Sequence, residues 1–287
     1  MRYTLRDMQA QFPTNDKCLE MIFDSRYGQL KACPRCGVVS AKYYRVKGRM
    51  AFECKECRHQ IYPLVGTIFQ KTTTPLVYWF HAIYLFSVSK NGVSALELQR
   101  QIDVSYKTAH RMAKMIRLLM KESGKIGFLG TPVEADETYF GGRRKQTAIK
   151  DNKTPVIAVL EVEGEVRTEV VAKAHSKTVV PFLFDNVEVG SELHTDESSI
   201  YKHHDVKNLY DHKSVSHIAK TYVNKEGVTT NHIEGFFGNM KRAIDGTYHS
   251  VSPQYLHSYV SEFAFRYNHR DEVIFPLLVA KAVKPAL

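Results

Sequence analysis

The chain has 287 residues, 44% hydrophobic and 24% charged, a balance that fits one large folded core or a few smaller ones. Its opening, MRYTLRDMQAQF, lacks an apolar signal region, and the longest apolar run, Leu76–Val88, contains His81 and is too short to span a bilayer; a cytoplasmic protein without a membrane partner is expected. The net charge of +10 is uneven: Met1–Gly124 holds 20 Lys and Arg against 9 Asp and Glu, whereas Lys125–Leu287 holds 20 against 21, which predicts a nucleic-acid-binding front end and a neutral second part.

Residues 1–31 form a short helical segment in which Leu19, Met21, Ile22 and Phe23 pack on the segment after it and Cys18 is a buried thiol. Two CxxC pairs come next, Cys33/Cys36 and Cys54/Cys57, separated by 17 residues. Without a secretory signal, this spacing points to metal and not to disulfides. Four thiolates suit tetrahedral Zn²⁺ with no open position, so a structural zinc ribbon is expected over 32–70. Lys42–Val46 and Arg49–Glu53 alternate around Lys47-Gly48 as its hairpin.

Residues 71–124 read as three helices. Thr74-Pro75 is an N-cap and first helical position, with a helix to about Ser89. Ser94 caps the second, with Glu97 completing a capping box, and Ser105 caps the third, Tyr106–Met120. Ala109, Met112, Met115, Ile116 and Leu119 form its inner stripe; Tyr106, Lys107, His110, Arg111, Lys114 and Arg117 lie largely outside. A tight turn before a basic helix predicts a helix-turn-helix whose Tyr106, Lys107, His110, Arg111 and Lys114 meet DNA; the alternative is a solvated basic face.

After a Gly-rich linker the period changes, and 125–287 reads as an α/β domain with a mixed sheet. Pro132–Phe140, Pro155–Val162 and Glu165–Ala172 are expected as a meander of strands, followed by a helix at Thr178–Asn186 and strands at Ser191–Thr195 and Lys213–Ser216. A helix opens at Asn231, taken as the N-cap of a capping box with Glu234, and a last one runs from Ser252-Pro253 to about Asn268.

Three carboxylates fall at the ends of these elements: Asp136 in the first strand, Asp196 ending the fourth, Glu234 in the first turn of the helix. Such a set can hold two divalent ions of the Mg²⁺ or Mn²⁺ type for in-line phosphoryl transfer. Lys241, two turns beyond Glu234, shares its face and suits a phosphate. Alternation turns Glu137 away from Asp136. Glu197 is the neighbouring alternative to Asp196, and Asn231, through its amide oxygen, is the alternative to Glu234.

The motifs CPRC and CKEC, VEADETYFGGR, HTDESSIY, TTNHIEGFFGNMKR and GTYHSVSPQYLHSYVSEFAFRYNHR occur in order. Together the chain resembles, over nearly its whole length, bacterial insertion-sequence transposases of the DDE type with an N-terminal zinc ribbon, the ISXO-like group. The resemblance implies an RNase H-like catalytic domain with Asp136, Asp196 and Glu234 as triad and Lys241 as the basic residue of its last helix; some relatives are described with Asn as third ligand. It implies Mg²⁺ or Mn²⁺ beside Zn²⁺, and double-stranded DNA, both element ends and target, as partner. It also implies a homodimer or higher oligomer on DNA and a place in the nucleoid. Arg143, Arg144 and Lys145, after the first strand, join the expected DNA contacts. In the implied reaction, water cuts at the element's end and the freed 3′-OH attacks target DNA. Rival expectations are a nuclease or resolvase with the same triad and no strand transfer, and a transcription regulator that only binds DNA.

Overall fold

The computed structural model describes residues 3–127, 130–141, 153–215 and 228–284. It divides into two compact units, one of Met1–Ser89, Val93–Leu119 and Asp271–Leu287, the other of Lys90–Gly92 and Met120–Arg270.

In the first unit Thr4 and Asp7 close a reciprocal capping box at the start of α1 (Leu5–Gln11). Thr14 caps α2 (Asn15–Tyr27), which buries Cys18, Leu19, Ile22 and Phe23. Burial pushes the Cys18 thiol up to about 12, so it is an inert structural group. Phe23 stacks on Phe52 with centroids 4.2 Å apart, which seats α2 on the ribbon. The ribbon's β1 (Tyr43–Arg45) and β2 (Phe52–Cys54) pair as the expected hairpin, and β3 (Gln60–Ile61), too short to show a period in sequence, adds a third antiparallel strand.

Helix α3 (Leu76–Val88) begins one residue later than expected, and Thr74 does not cap it. Pro75 holds the cap position without a side-chain bond. Asn15 Oδ1 instead accepts the Val77 N–H at 3.2 Å. A partner 62 residues away is invisible to a search for local caps. Helices α4 (Ala95–Ile102) and α5 (Tyr106–Leu118) are capped by Ser94 and Ser105 as expected, through the Glu97 and Thr108 N–H groups, but Glu97 Oε1 accepts from Gln101 Nε2 at 2.8 Å in place of completing the expected capping box. Asp103 makes the turn between them in the left-handed region, at φ 48°.

The second unit is built on five strands: β4 (Val133–Phe140), β5 (Thr154–Glu161), β6 (Val166–Val170), β7 (Glu192–Asp196) and β8 (Asp211–Val215). Their order is β6-β5-β4-β7-β8. β4, β5 and β6 are an antiparallel meander, and β4, β7 and β8 run parallel. This is the mixed sheet, opened by a meander of three strands, that was expected of an α/β domain. Helix α6 (Ser176–Asn186), a 3₁₀ turn at Ser199–Lys202 and α7 (His204–Leu209) precede α8 (Asn231–Ala243), which runs through a π turn at Ile244–Tyr248 toward α9 (Pro253–Asn268).

The sheet buries both faces, so β5 reads as an unbroken apolar run. Val156, Ala158 and Leu160 pack with Ile233, Phe236, Phe237 and Met240 of α8 and with α9. Ala135, Ile157 and Val159 pack with Phe182 and Leu183 of α6 and with Tyr201. The last helix, α10 (Ile274–Val283), belongs with the first unit, where Phe275 stacks on Tyr3 at 4.6 Å. Among the described residues no helix is long and apolar enough to cross a membrane.

Candidate active site and metal centres

The two CxxC pairs form matched knuckles. The Cys33 carbonyl accepts the Gly37 N–H and the Cys54 carbonyl accepts the Arg58 N–H. Gly37 and Arg58 both take positive φ, 71° and 56°, which turns each knuckle back on itself. All four Sγ atoms lie within 4.8 Å of one another, with Cys33–Cys57 at 3.7 Å and Cys36–Cys54 at 4.0 Å. A disulfide requires about 2.05 Å. Thiolates about 2.3 Å from a tetrahedral zinc stand about 3.8 Å apart. The donor set therefore fits zinc, and four sulfurs leave no position for a substrate.

The Asp196 and Glu234 carboxylates lie close enough to Asp136 for their charges to act on it. Parallel pairing sets Val133 opposite Leu193 and Glu134 opposite His194, and the same offset carried onward brings Asp136 level with Asp196. Asp136 faces Ala158 across β5, so its side chain lies on the sheet face that α8 covers. Burial, and then the charges of Glu137, Asp196 and Glu234, push the Asp136 carboxyl up to about 7. The three predicted ligands are thus neighbours, though not gathered within 4.8 Å as the cysteines are. An all-oxygen set whose negative charges act on the half-buried Asp136 suits a hard divalent cation.

Each neighbour considered from sequence has a definite place. Glu137 points to the opposite face, where the buried Tyr201 hydroxyl donates to its Oε2 at 3.0 Å. Burial raises the Glu137 carboxyl as well. Asp196 Oδ1 accepts the Ser198 N–H at 3.0 Å and so also shapes the turn after β7. Glu197 is exposed. Asn231, Glu234 and Lys241 are all exposed on α8, with Lys241 about 10 Å along the axis from Glu234 on the same side.

The expected capping box of Asn231 and Glu234 is absent. Asn231 is the first helical residue, and Thr230 holds the cap position without bonding a helix N–H through its side chain. The Thr230 hydroxyl instead donates to Glu234 Oε1 at 3.0 Å. The helix start is served from the sheet: Glu134 Oε2 accepts the Ile233 N–H at 2.8 Å, and Glu134 Oε1 lies 2.7 Å from His232 Nδ1. Sequence reasoning missed Glu134. The signal was present, because the alternation that sets Glu137 aside puts Glu134 on the same side as Asp136. His203, His204 and Asp205, not singled out from sequence, bring three further donor atoms together at the start of α7, where they bond one another.

On α5, Tyr106, Lys107, Arg111 and Lys114 are exposed, and His110 is half-buried with its ring 6.0 Å from Tyr106. Arg111 Nη2 donates to the Gln70 carbonyl at 3.2 Å. Ala109, Met112 and Ile116 are buried as expected, while Met115 and Leu119 are half-buried. Arg117 corrects the reading of the outer face. It is 3% exposed, donates to the Val93 carbonyl at 2.9 Å and lies 5.2 Å over the Phe86 ring. Charge alone placed it outside, yet a guanidinium with an acceptor and an aromatic face can be buried. Arg143, Arg144 and Lys145 lie outside the described residues.

Residues 13–60 match the family described as transposase zinc-ribbon domain, and residues 128–268 match the ISXO2-like transposase domain. An uncharacterized protein in the transposable element ISH50 of Halobacterium salinarum (strain ATCC 700922 / JCM 11081 / NRC-1) is 26% identical over 276 residues, 89% of this chain and 91% of that protein. Among solved structures, the catalytic core domain of BIV integrase aligns with a TM-score of 0.32 and 16% identity, over 46% of this chain and 80% of that one. That likeness is too slight to bear on the fold, which rests on the strand order.

Proposed function

We propose that this chain, which belongs to the insertion-sequence transposases that place a zinc ribbon ahead of an ISXO2-like transposase domain, binds the ends of its element and, with divalent cations, cuts and joins DNA strands there. The observation that carries the reading is the meeting of Asp136, Asp196 and Glu234 from two parallel strands and one helix, with the Asp136 carboxyl raised to about 7 by its burial and its neighbours. In this reading the three carboxylates hold Mg²⁺ or Mn²⁺. The ions, when bound, supply activation of the attacking oxygen and charge stabilisation of the leaving one. Lys241 meets the phosphate next to the scissile bond as a point charge, and the positive end of α8 faces the same backbone. Tyr201 keeps Glu137 turned from the cluster. Tyr106, Lys107, His110, Arg111 and Lys114 hold the element's end through the exposed side of α5, with phosphate contacts giving most of the affinity.

The test is a strand-joining assay. DNA carrying the element's ends is incubated with the full chain, Mg²⁺ and a target plasmid, and the products are sequenced. Joining of element 3′ ends to target DNA is expected. Cleavage without joining would reassign the chain to the nucleases, and binding without cleavage would make it a regulator.

A further inference from the structure

An α-helix starts with N–H groups that have no partner inside the helix. In α8 the residue at the cap position, Thr230, has turned its hydroxyl to Glu234 instead. The bond to the Ile233 N–H comes from Glu134 on β4, 99 residues earlier in the chain. Glu134 is 0% exposed, a rare state for a carboxylate unless it is fully paired. Both of its oxygens are used, and both go to consecutive residues of the first turn of α8.

We propose that Glu134 is a positioning residue of the cation site: it fixes the helix that carries Glu234 against the strand that carries Asp136. The inference rests on the reading of Asp136 and Glu234 as the ligands. Glu134 is two residues from Asp136 on the same strand face, about 7 Å along β4. Ile233 directly precedes Glu234. One carboxylate therefore joins the backbones of two ligands through a single amide bond and a single imidazole bond. A local cap from Ser or Asn at 230 would stabilise the helix equally well, because it satisfies the same N–H groups. It would not set the distance from the helix to β4. Placing the cap on the strand does both, and it frees Thr230 to hold the Glu234 side chain while Glu134 holds its backbone.

The test measures Mn²⁺ binding to the full, zinc-loaded chain by calorimetry, with thermal unfolding recorded in parallel. Glu134→Gln keeps an oxygen for the Ile233 N–H and the side-chain length, so Mn²⁺ affinity within a few-fold of wild type is expected. Glu134→Ala removes the tether and should weaken Mn²⁺ binding about 10- to 100-fold, the usual loss when a group orienting a ligand is removed. Should Glu134→Ala fail to fold, Glu134→Asp decides: it keeps the charge but is one methylene short, and it should lose affinity where Glu134→Gln does not. A folded Ala or Asp variant that melts lower yet binds Mn²⁺ as wild type does would overturn the inference and leave Glu134 a helix cap only. Asp136→Asn is the reference. If it too leaves Mn²⁺ binding unchanged, the ligand reading itself fails and the inference with it; if it abolishes binding while Glu134→Ala does not, only the inference fails.

Discussion

Asp136 is half-buried beside three other carboxylates, and its proton affinity is set first by desolvation and then by those charges. Burial, then Glu137, Asp196 and Glu234, raise its carboxyl from 3.8 to about 7 in the metal-free chain, so the folded state binds this proton more tightly than the unfolded state does. The stability it contributes is complete below about pH 4 and is lost as pH rises through about 7. Glu137 shifts in the same direction through its own burial. The Tm of the metal-free protein should therefore fall between about pH 4 and about pH 7, and Asp136→Asn should flatten that fall. Mn²⁺ should restore the wild-type Tm at the alkaline end and leave the variant unmoved. An unchanged profile in Asp136→Asn would remove Asp136 as the source. The choice between Asn231 and Glu234 is also made at single residues. Asn231 is exposed and caps nothing, so Asn231→Ala should change stability by no more than about 0.5 kcal/mol. Glu234→Gln removes a negative charge from the cluster, and strand cleavage should drop by orders of magnitude with folding and end binding kept. An active Glu234→Gln beside a folded, inactive Asn231→Ala would reverse the assignment.

Helix α5 separates basic residues that hold the fold from those offered to solvent. Arg117 is buried against Phe86 and bonded to Val93, so Arg117→Ala should lower stability by about 2–4 kcal/mol, seen as a lower denaturation midpoint. Lys114→Ala should leave the midpoint alone and reduce the salt dependence of DNA binding by about one unit of slope if it meets a phosphate. Binding curves of Lys114→Ala that overlay wild type at every salt concentration would take this face out of the interface. The elements that were legible share a trait: their signals are local. Ser94 and Ser105 each cap the helix immediately after them. The first strand, expected over Pro132–Phe140, runs over Val133–Phe140. What was not legible depends on partners far along the chain. Asn15 serves α3 and Glu134 serves α8, from 62 and 99 residues away, and no spacing rule reaches that far. The short β3 and the six-residue α7 hold too few residues to show a period. Helix α10, apolar on a short segment after the last motif, likewise packs on partners far back in the chain, its Phe275 meeting the Tyr3, Phe12 and Tyr84 rings.

Across the whole molecule, the excess positive charge and the cysteine cluster lie in the first part of the sequence, and the carboxylate cluster in the neutral second part. The candidate site was readable as residue types, with Asp196 ending its strand and Glu234 in the first turn of its helix; its geometry was not, since Asp136 stands mid-strand in β4 and its level against Asp196 is a property of strand pairing. The two centres should respond differently to metal removal. Purified protein should carry about one zinc per chain, and Cys33→Ser should lose both the zinc and ribbon-dependent DNA binding, because a ribbon this small folds on its metal. Unchanged zinc content in Cys33→Ser would contradict the tetrahedral assignment. The central claim, cation-dependent strand cleavage and joining by the carboxylates of the second unit, has a more direct test. The full chain is given DNA carrying the element's ends, with Mg²⁺ or with a chelator mild enough to leave the zinc in place, and the positions of new 3′ ends are mapped for wild type and Asp196→Asn. New 3′-OH groups at the element's ends, joined to target, are expected only for wild type with Mg²⁺; cleavage that persists in the chelator or in Asp196→Asn would contradict the account.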